Sequence, residues 1–398
     1  RTEHRGATAS MLAGMPEYLA PGVFVEEVSF RSRTIEPADA AVTVFVGPTA
    51  RGRAGVLSPV IGSFAAFQRD YGGLAELRIG GGQRLVNHVA HAAQAFFREG
   101  GRRLRIVRVG GGDGRSPSLR GYQAALRGVD RIQGLRTVAA PGSSALPALA
   151  DDVRAALIAH AAHSGRRSCV LLDPDPSTPP ASAKALAAAF DSPDAALYYP
   201  WIAVRGPTTG RDLLIPPSGA VAGILARVAR TRGPHRAPGN EPIDSAIGLE
   251  RKLGTAEADS LNPAGVSVLR QFPTRGIRVW GAHTLSSDPE WKYLNVRRYF
   301  AYLEHSIGEG TQWAVFEPND EPLWAQVRLV VSGFLLDEWR AGRLQGGRPD
   351  EAYFVRCDRS TMAAADIRAR RLVALVGFAP LRPAEFVIFR IGQKTADA

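Results

Sequence analysis

Residues 168–190 read SCVLLDPDPSTPPASAKALAAAF. Cys169 to Leu172 form an unbroken apolar run of strand length. Asp-Pro-Asp-Pro turns the chain, and an alanine-rich helix is expected over 181–190. The same rhythm recurs on both sides. RTVAAPG (136–142) precedes a helix expected over 147–163, and LYYPWIAVRGP (197–207) reads as one strand before a helix over 218–230. Strands alternating with helices define an α/β fold, because each helix must cover a face of the sheet.

Upstream, AAVTVFVGPT (40–49) is a β-branched strand closed by Gly47-Pro48. Ser63 can cap a short helix that Gly72-Gly73 ends. Leu85, Val89, Ala92 and Phe96 recur at helical spacing up to Gly100-Gly101, and RRLRIVRV (102–109) follows as a strand. The Pro/Gly-rich stretch RGPHRAPGNEPI (232–243) is the expected domain boundary. Beyond it, RGIRVWGA, QWAVFEP, EAYFVRCD and RLVALVGFAP read as strands. Asp288 and Pro289 read as the start of a helix burying Val296, Tyr299, Leu303 and Ile307. Asp320 caps another that buries Val327, Val331, Phe334 and Leu335. The second part is thus expected to be α+β.

The chain has 398 residues and a formal charge of +11, which raises the question of nucleic acid. Only four lysines occur (Lys184, Lys252, Lys292, Lys394), and the arginines are scattered without a basic block carrying interleaved aromatics. Such a charge suits an acidic protein surface better than DNA or RNA. No apolar run approaches the roughly 18 residues of a membrane span, and no secretion signal is seen, so a cytoplasmic product is expected. Cys169 and Cys357 lie in separate strand-like runs and read as buried free thiols.

Catalytic readings are weak. An apolar strand followed by Asp173-x-Asp175 is how haloacid-dehalogenase-like phosphotransferases begin, with Asp173 as nucleophile. Here, however, Pro174 and Pro176 remove backbone donors that a phosphoryl group would need. GGGDGRS (110–116) lacks the lysine and spacing of a phosphate loop and reads as a flexible surface loop. His88 with His91, and His160 with His163, have helical spacing but no acidic residue one turn away, so structural histidines are expected. No cofactor or metal is expected.

Both ends of the chain carry strands. Near the start, Val23, Phe24, Val25 and Val28 follow Pro21-Gly22. Near the end, Phe386, Val387, Ile388, Phe389 and Ile391 follow Arg382-Pro383, with apolar side chains on both faces. From the residues alone, pairing of the two ends within one domain is favoured.

Long stretches then resemble the tail sheath protein of contractile phages and phage-tail-like injection systems. They include MPEYLAPGVFVEEV, VTVFVGPTARG, YYPWIAV, IPPSGAVAGILARV, RPAEFVIFRIGQ and the run from Asn262 to Arg328. The resemblance covers most of the chain from Met15 onward; Ala220 departs from it, standing where relatives often have histidine. It implies a two-domain sheath subunit with strand arms: an arm in 1–30, an outer α/β domain in 31–240 (residues 31–50 also assignable to the inner domain), an inner α+β domain in 241–382, and an arm in 383–398. It also implies a homo-oligomer of stacked hexameric rings around an inner tail tube protein, met by baseplate and terminator or cap proteins, with no nucleic acid and no membrane.

Under this resemblance the preference for self-pairing reverses. The arm strands enter neighbouring subunits, with Pro21, Gly22, Arg382 and Pro383 as hinges. For the inner-tube surface, the helix from Asp320 to Gly342 is the expectation, through Arg328, Arg340 and Arg343.

Overall fold

Seven strands, none longer than seven residues, build the central sheet of the computed structural model. The structure describes residues 34–111, 114–132, 134–163, 168–206 and 210–385, all within one compact unit. The expected arm strands Val23, Phe24, Val25, Val28, Phe386, Val387, Ile388, Phe389 and Ile391, with Pro21 and Gly22, lie outside the described residues.

In chain order the elements of the sheet body are β1 (Val42–Gly47), α1 (Phe64–Tyr71), the small hairpin β2 (Leu77–Arg78) and β3 (Arg84–Leu85), α2 (His88–Arg98), β4 (Leu104–Arg108), α3 (Leu119–Val129), β5 (Arg136–Ala139), α4 (Ala150–His163), β6 (Ser168–Leu172), α5 (Pro180–Ala188), β7 (Ala195–Tyr199), β8 (Ile202–Arg205), β9 (Asp212–Ile215), α6 (Ser218–Arg232), β10 (Gly248–Leu249), α7 (Thr255–Leu261), β11 (Val266–Phe272) and β12 (Gly276–Trp280). The large sheet runs β12-β11-β7-β6-β5-β1-β4 and is parallel except for the β11–β12 hairpin.

Alternation along β1 shows how the sheet is covered. Phe45 faces a core shared with α2 and α6, while Val42, Val44 and Val46 face one shared with α3, α4 and α5. Both faces are buried, which is why these strands read as continuous apolar runs. Where α2 meets α6, glycine permits close approach: a Cβ on Gly219 would lie 2.5 Å from Ala92 Cα.

Both edges of this sheet are blunted. Residues 54–61 bridge to β4, and Asn240 to Ile243 line β12 through Asn240 N–H to Val279 O (2.7 Å) and Ile243 N–H to Ile277 O (2.9 Å). A proline-bearing cover stops further pairing. The stretch 232–243 is therefore an edge cover and not a boundary between cores, since β11 and β12 beyond it complete the same sheet.

The remainder is α8 (Leu294–Gly310), α9 (Glu321–Arg340), β13 (Tyr353–Arg356) and β14 (Leu375–Phe378), which share a third core of Tyr299, Tyr302, Leu303, Val327, Val331 and Leu335. Several local expectations are corrected. LYYPWIAVRGP is two strands in two sheets, parted at a cis Tyr199–Pro200 peptide; β8 pairs antiparallel with β9 and β10. α2 begins at His88, because Asn87 Oδ1 accepts Ala90 N–H (3.2 Å) as its cap, so Leu85 falls in the hairpin. α8 begins at Leu294: Asp288 closes a turn instead, accepting Glu290 N–H at 2.9 Å. QWAVFEP is not a strand; a 3₁₀ turn at Gln312–Ala314 leads to Phe316 with φ +71°, a conformation no strand adopts.

Candidate functional site

Asp173 ends β6 inside the protein. Its Oδ1 accepts Ser218 N–H (3.0 Å) and its Oδ2 accepts Ser218 Oγ–H (2.6 Å), so both oxygens hold the first turn of α6. Burial pushes its carboxyl up to about 7 against the opposing pull of Ser218 and Arg154. Around it the turn is tied on all sides. Arg154 Nε donates to Asp173 O (3.1 Å) and its guanidinium pairs with Asp175, while Trp201 Nε1 donates to Pro174 O (2.8 Å). A carboxylate with both oxygens committed and no open face is a structural cap, which removes the phosphotransferase alternative.

The glycine loop has the wrong polarity for phosphate. Arg108 donates to Gly110 O (3.0 Å) and Gly111 O, and to Gly52 O (2.6 Å) of another segment, so the first two loop residues present carbonyls inward to a cation. His88 packs edge-on against Trp201 at 5.4 Å, and burial lowers it to about 3 and His91 to about 4. Buried His160 lies 3.1 Å from Ser168 Oγ and 3.4 Å from Asp130 Oδ1, whereas His163 is exposed. Among the described residues no group of three or more His, Cys, Asp or Glu side chains could hold a metal. Both cysteines are buried and free, and burial raises Cys169 to about 12. Part of the basic charge is internal as well: Arg297 pairs with Asp194 at 2.7 Å, and Arg298 donates to Ala40 O at 3.0 Å.

What remains is an edge that can be extended. β13 and β14 pair antiparallel from Tyr353↔Phe378 to Arg356↔Leu375. Beyond this ladder, the described backbone bonds here are Ala379 N–H to Ala352 O (2.8 Å) and Gln345 N–H to Ala379 O (2.9 Å). No described backbone group lines the outer edge of either strand. One face exposes Phe354 and Leu375, with Arg356 lying over the Phe354 ring at 5.4 Å. Phe354 lies flat across Gly377, where a Cβ would come within 2.2 Å of its ring. Two open edges on a two-stranded sheet leave room for two more strands.

The last described residues run from this sheet along the start of α8. Asn295 Nδ2 donates to Leu381 O (3.3 Å), Tyr293 O–H donates to Glu385 Oε2 (3.0 Å), and His283 Nε2 lies 2.6 Å from Glu385 Oε1. Arg382 and Pro383 thus sit between two attachments, at Leu381 and Glu385. Sequence reasoning missed this clamp, whose partners lie about a hundred positions apart with no local pattern.

The three arginines considered for the inner tube differ. Arg328 donates to Cys357 O, Arg343 donates to buried Glu338 at 2.6 Å, and Arg340 is exposed, 3.9 Å from Asp337. Glu338 also accepts the hydroxyls of Tyr299 (2.9 Å) and Tyr302 (3.0 Å), so Arg343 belongs to a structural network.

An α/β body with covered sheet edges is thus joined to a helical part whose short sheet has edges that no described backbone group lines. Residues 121–285 match the family model for the phage tail sheath protein central domain and residues 286–394 that for the phage tail sheath C-terminal domain; the chain belongs to the phage tail sheath family. A prophage major tail sheath protein of Pseudomonas aeruginosa (strain UCBPP-PA14) is 26% identical over 281 residues, 68% of each chain. The tail sheath protein of Burkholderia phage BcepMu is 28% identical over 148 residues, 35% of this chain and 31% of that one.

Among solved structures, the contracted helical sheath of the anti-feeding prophage superposes with a TM-score of 0.76 at 27% identity, covering 94% of this chain and 99% of that one. A contracted PVC sheath complex of an extracellular contractile injection system shares the fold with a TM-score of 0.73 at 24% identity, covering 96% and 99%. The protein is a sheath subunit of a contractile phage tail or tail-like particle, and it works as part of a helical oligomer. Its relatives are structural proteins. No described helix is long and apolar enough to cross a membrane.

Proposed function

We propose that the subunit polymerises as stacked six-membered rings around an inner tail tube and acts mechanically, not as an enzyme. The arm strands, Val23 to Val28 and Phe386 to Ile391, would enter the β13–β14 sheets of neighbours. The observation that carries this reading is the contrast between sheets: both edges of the large sheet are covered, while both edges of β13–β14 are open among the described residues. The match at 27% identity and TM-score 0.77 to a chain of the six-fold symmetrised anti-feeding prophage baseplate supports the ring number.

Burying four of the apolar residues in one C-terminal arm contributes about 6–12 kcal/mol gross. Ordering the arm removes roughly 1–2 kcal/mol per residue, so one arm is modest and a lattice is strong. Contraction then needs a difference in contacts between two packings, with arm pairings kept and the body turning about the segment after Pro383. The sheet body, now including β11 and β12, takes the outer position and α8, α9 and β13–β14 the inner one. The exposed Arg340 is the remaining candidate of the three for a contact with the tube. Baseplate and cap proteins close the polymer at its ends, with assembly in the cytoplasm.

Removing residues 384–398 tests the arms. The truncated subunit is expected to stay folded and soluble and to form no hollow tubes by negative-stain microscopy. Tubes like those of the intact chain would refute strand exchange.

A further inference from the structure

Between Arg298 and Arg328 the chain has no lysine or arginine, yet it carries Glu304, Glu309, Glu317, Asp320 and Glu321, in a protein of net charge +11. At the middle of this acidic stretch stands an apolar knob. Val315 is 62% exposed and Phe316 102%, the highest value among the exposed large hydrophobics of the described residues. The knob has a built base: Val315 N–H donates to Gln312 O (3.1 Å), and Asn319 is held by Trp324 Nε1 (2.7 Å) at the entry to α9. Phe316 adopts φ +71°, a left-handed backbone that a bulky side chain rarely takes. A left-handed backbone that turns a fully exposed ring to the outside suits a contact with a partner.

A groove of matching character lies on the sheet body. It measures about 380 Å³ and is lined by Pro59, Val60, Ile61 and Tyr71, with Arg53 and the Arg69–Asp70 pair also in its wall. Val60 is 39% exposed, and Asp70, the acid beside it, is paired with Arg69 at 2.7 Å. Phe316 is fully exposed, so it does not fill this groove in its own chain.

We propose that the Val315–Phe316 knob of one subunit seats in the Pro59–Ile61 groove of a second copy of this chain, with Arg53 of the groove facing the acidic stretch around the knob. Knob and groove are different patches, so the contact is head-to-tail, and head-to-tail contacts that do not close into a ring propagate as open helices. The inference rests on the sheath reading and adds a subunit contact that is independent of the arms.

Polymerisation of purified full-length chain, followed by sedimentation, tests it. Phe316→Ala is expected to raise the concentration needed for polymer by about ten-fold or more, with the thermal midpoint of the unassembled subunit unchanged. An unchanged threshold overturns the proposal. A chain carrying both Phe316→Cys and Val60→Cys, oxidised as polymer, is expected to give a disulfide-linked ladder that neither single variant gives, because the two native cysteines are buried. Intact polymer without a ladder overturns the groove as the partner. Wild-type chain that forms no polymer would sink the proposed self-assembly of the subunit, and this contact with it.

Discussion

Replacing Asp173 separates its structural role from any chemical one. Asp173→Ala leaves the buried Ser218 N–H and hydroxyl, now held at 3.0 and 2.6 Å, without acceptors. At about 1–3 kcal/mol for each abandoned group, the cost is roughly 2–6 kcal/mol. Asp173→Asn keeps the shape and both bonds: its carbonyl accepts the N–H, and its amide donates to a rotated Ser218 hydroxyl. It also removes a charge that burial disfavours. The carboxyl is raised from an ordinary 3.8 to about 7, so the stability it contributes is full below pH 4 and is lost as pH rises through 7.

The advantage of Asp173→Asn over wild type should therefore grow from pH 4 to pH 8 by a few kcal/mol. Burial of His88 and His91 as neutral rings tilts both proteins the other way on acidification, and the difference between them cancels it. Thermal or denaturant unfolding of unassembled subunits at a series of pH values measures this. Parallel profiles for the two proteins, or an alanine variant as stable as wild type, would refute the buried-cap account. Asp173→Asn is also expected to polymerise normally.

Glu338→Ala strands the hydroxyls of Tyr299 and Tyr302 and the guanidinium of Arg343 and should cost about 3–5 kcal/mol in denaturant unfolding, whereas Arg340→Ala on the same helix should leave stability within about 0.5 kcal/mol. Gly219→Ala puts a methyl 2.5 Å from Ala92 Cα, and pushing α6 off α2 should lower stability by about 1–3 kcal/mol; an unchanged midpoint would show that the helices yield freely.

The α/β character of residues 40–232 was legible because it is local. Each strand is an apolar run, and each helix has its cap or stop nearby, as with Ser63 accepting Ala66 N–H and Gly72 ending α1 at φ +96°. Burial of Val327, Val331, Phe334 and Leu335 in α9 followed from helical spacing in the same way. The assembly family was legible too, through long ordered stretches rather than any single motif.

What the sequence could not decide were matters of partnership at long range. Whether 232–243 divides two cores or seals an edge depends on where β12 lies, and β12 joins a sheet whose other strands begin at residue 42. Whether an arginine is surface charge or a structural bond depends on what folds against it: Arg343 and Arg297 meet carboxylates inside, and Arg340 does not. The clamp of Glu385 on His283 and Tyr293, and the edges of β13–β14 that no described backbone group lines, exist only once segments far apart in the chain are packed together. Periodicity reports how a residue relates to its next turn or next strand position. Only the tertiary structure reports which backbone edges are left for another molecule.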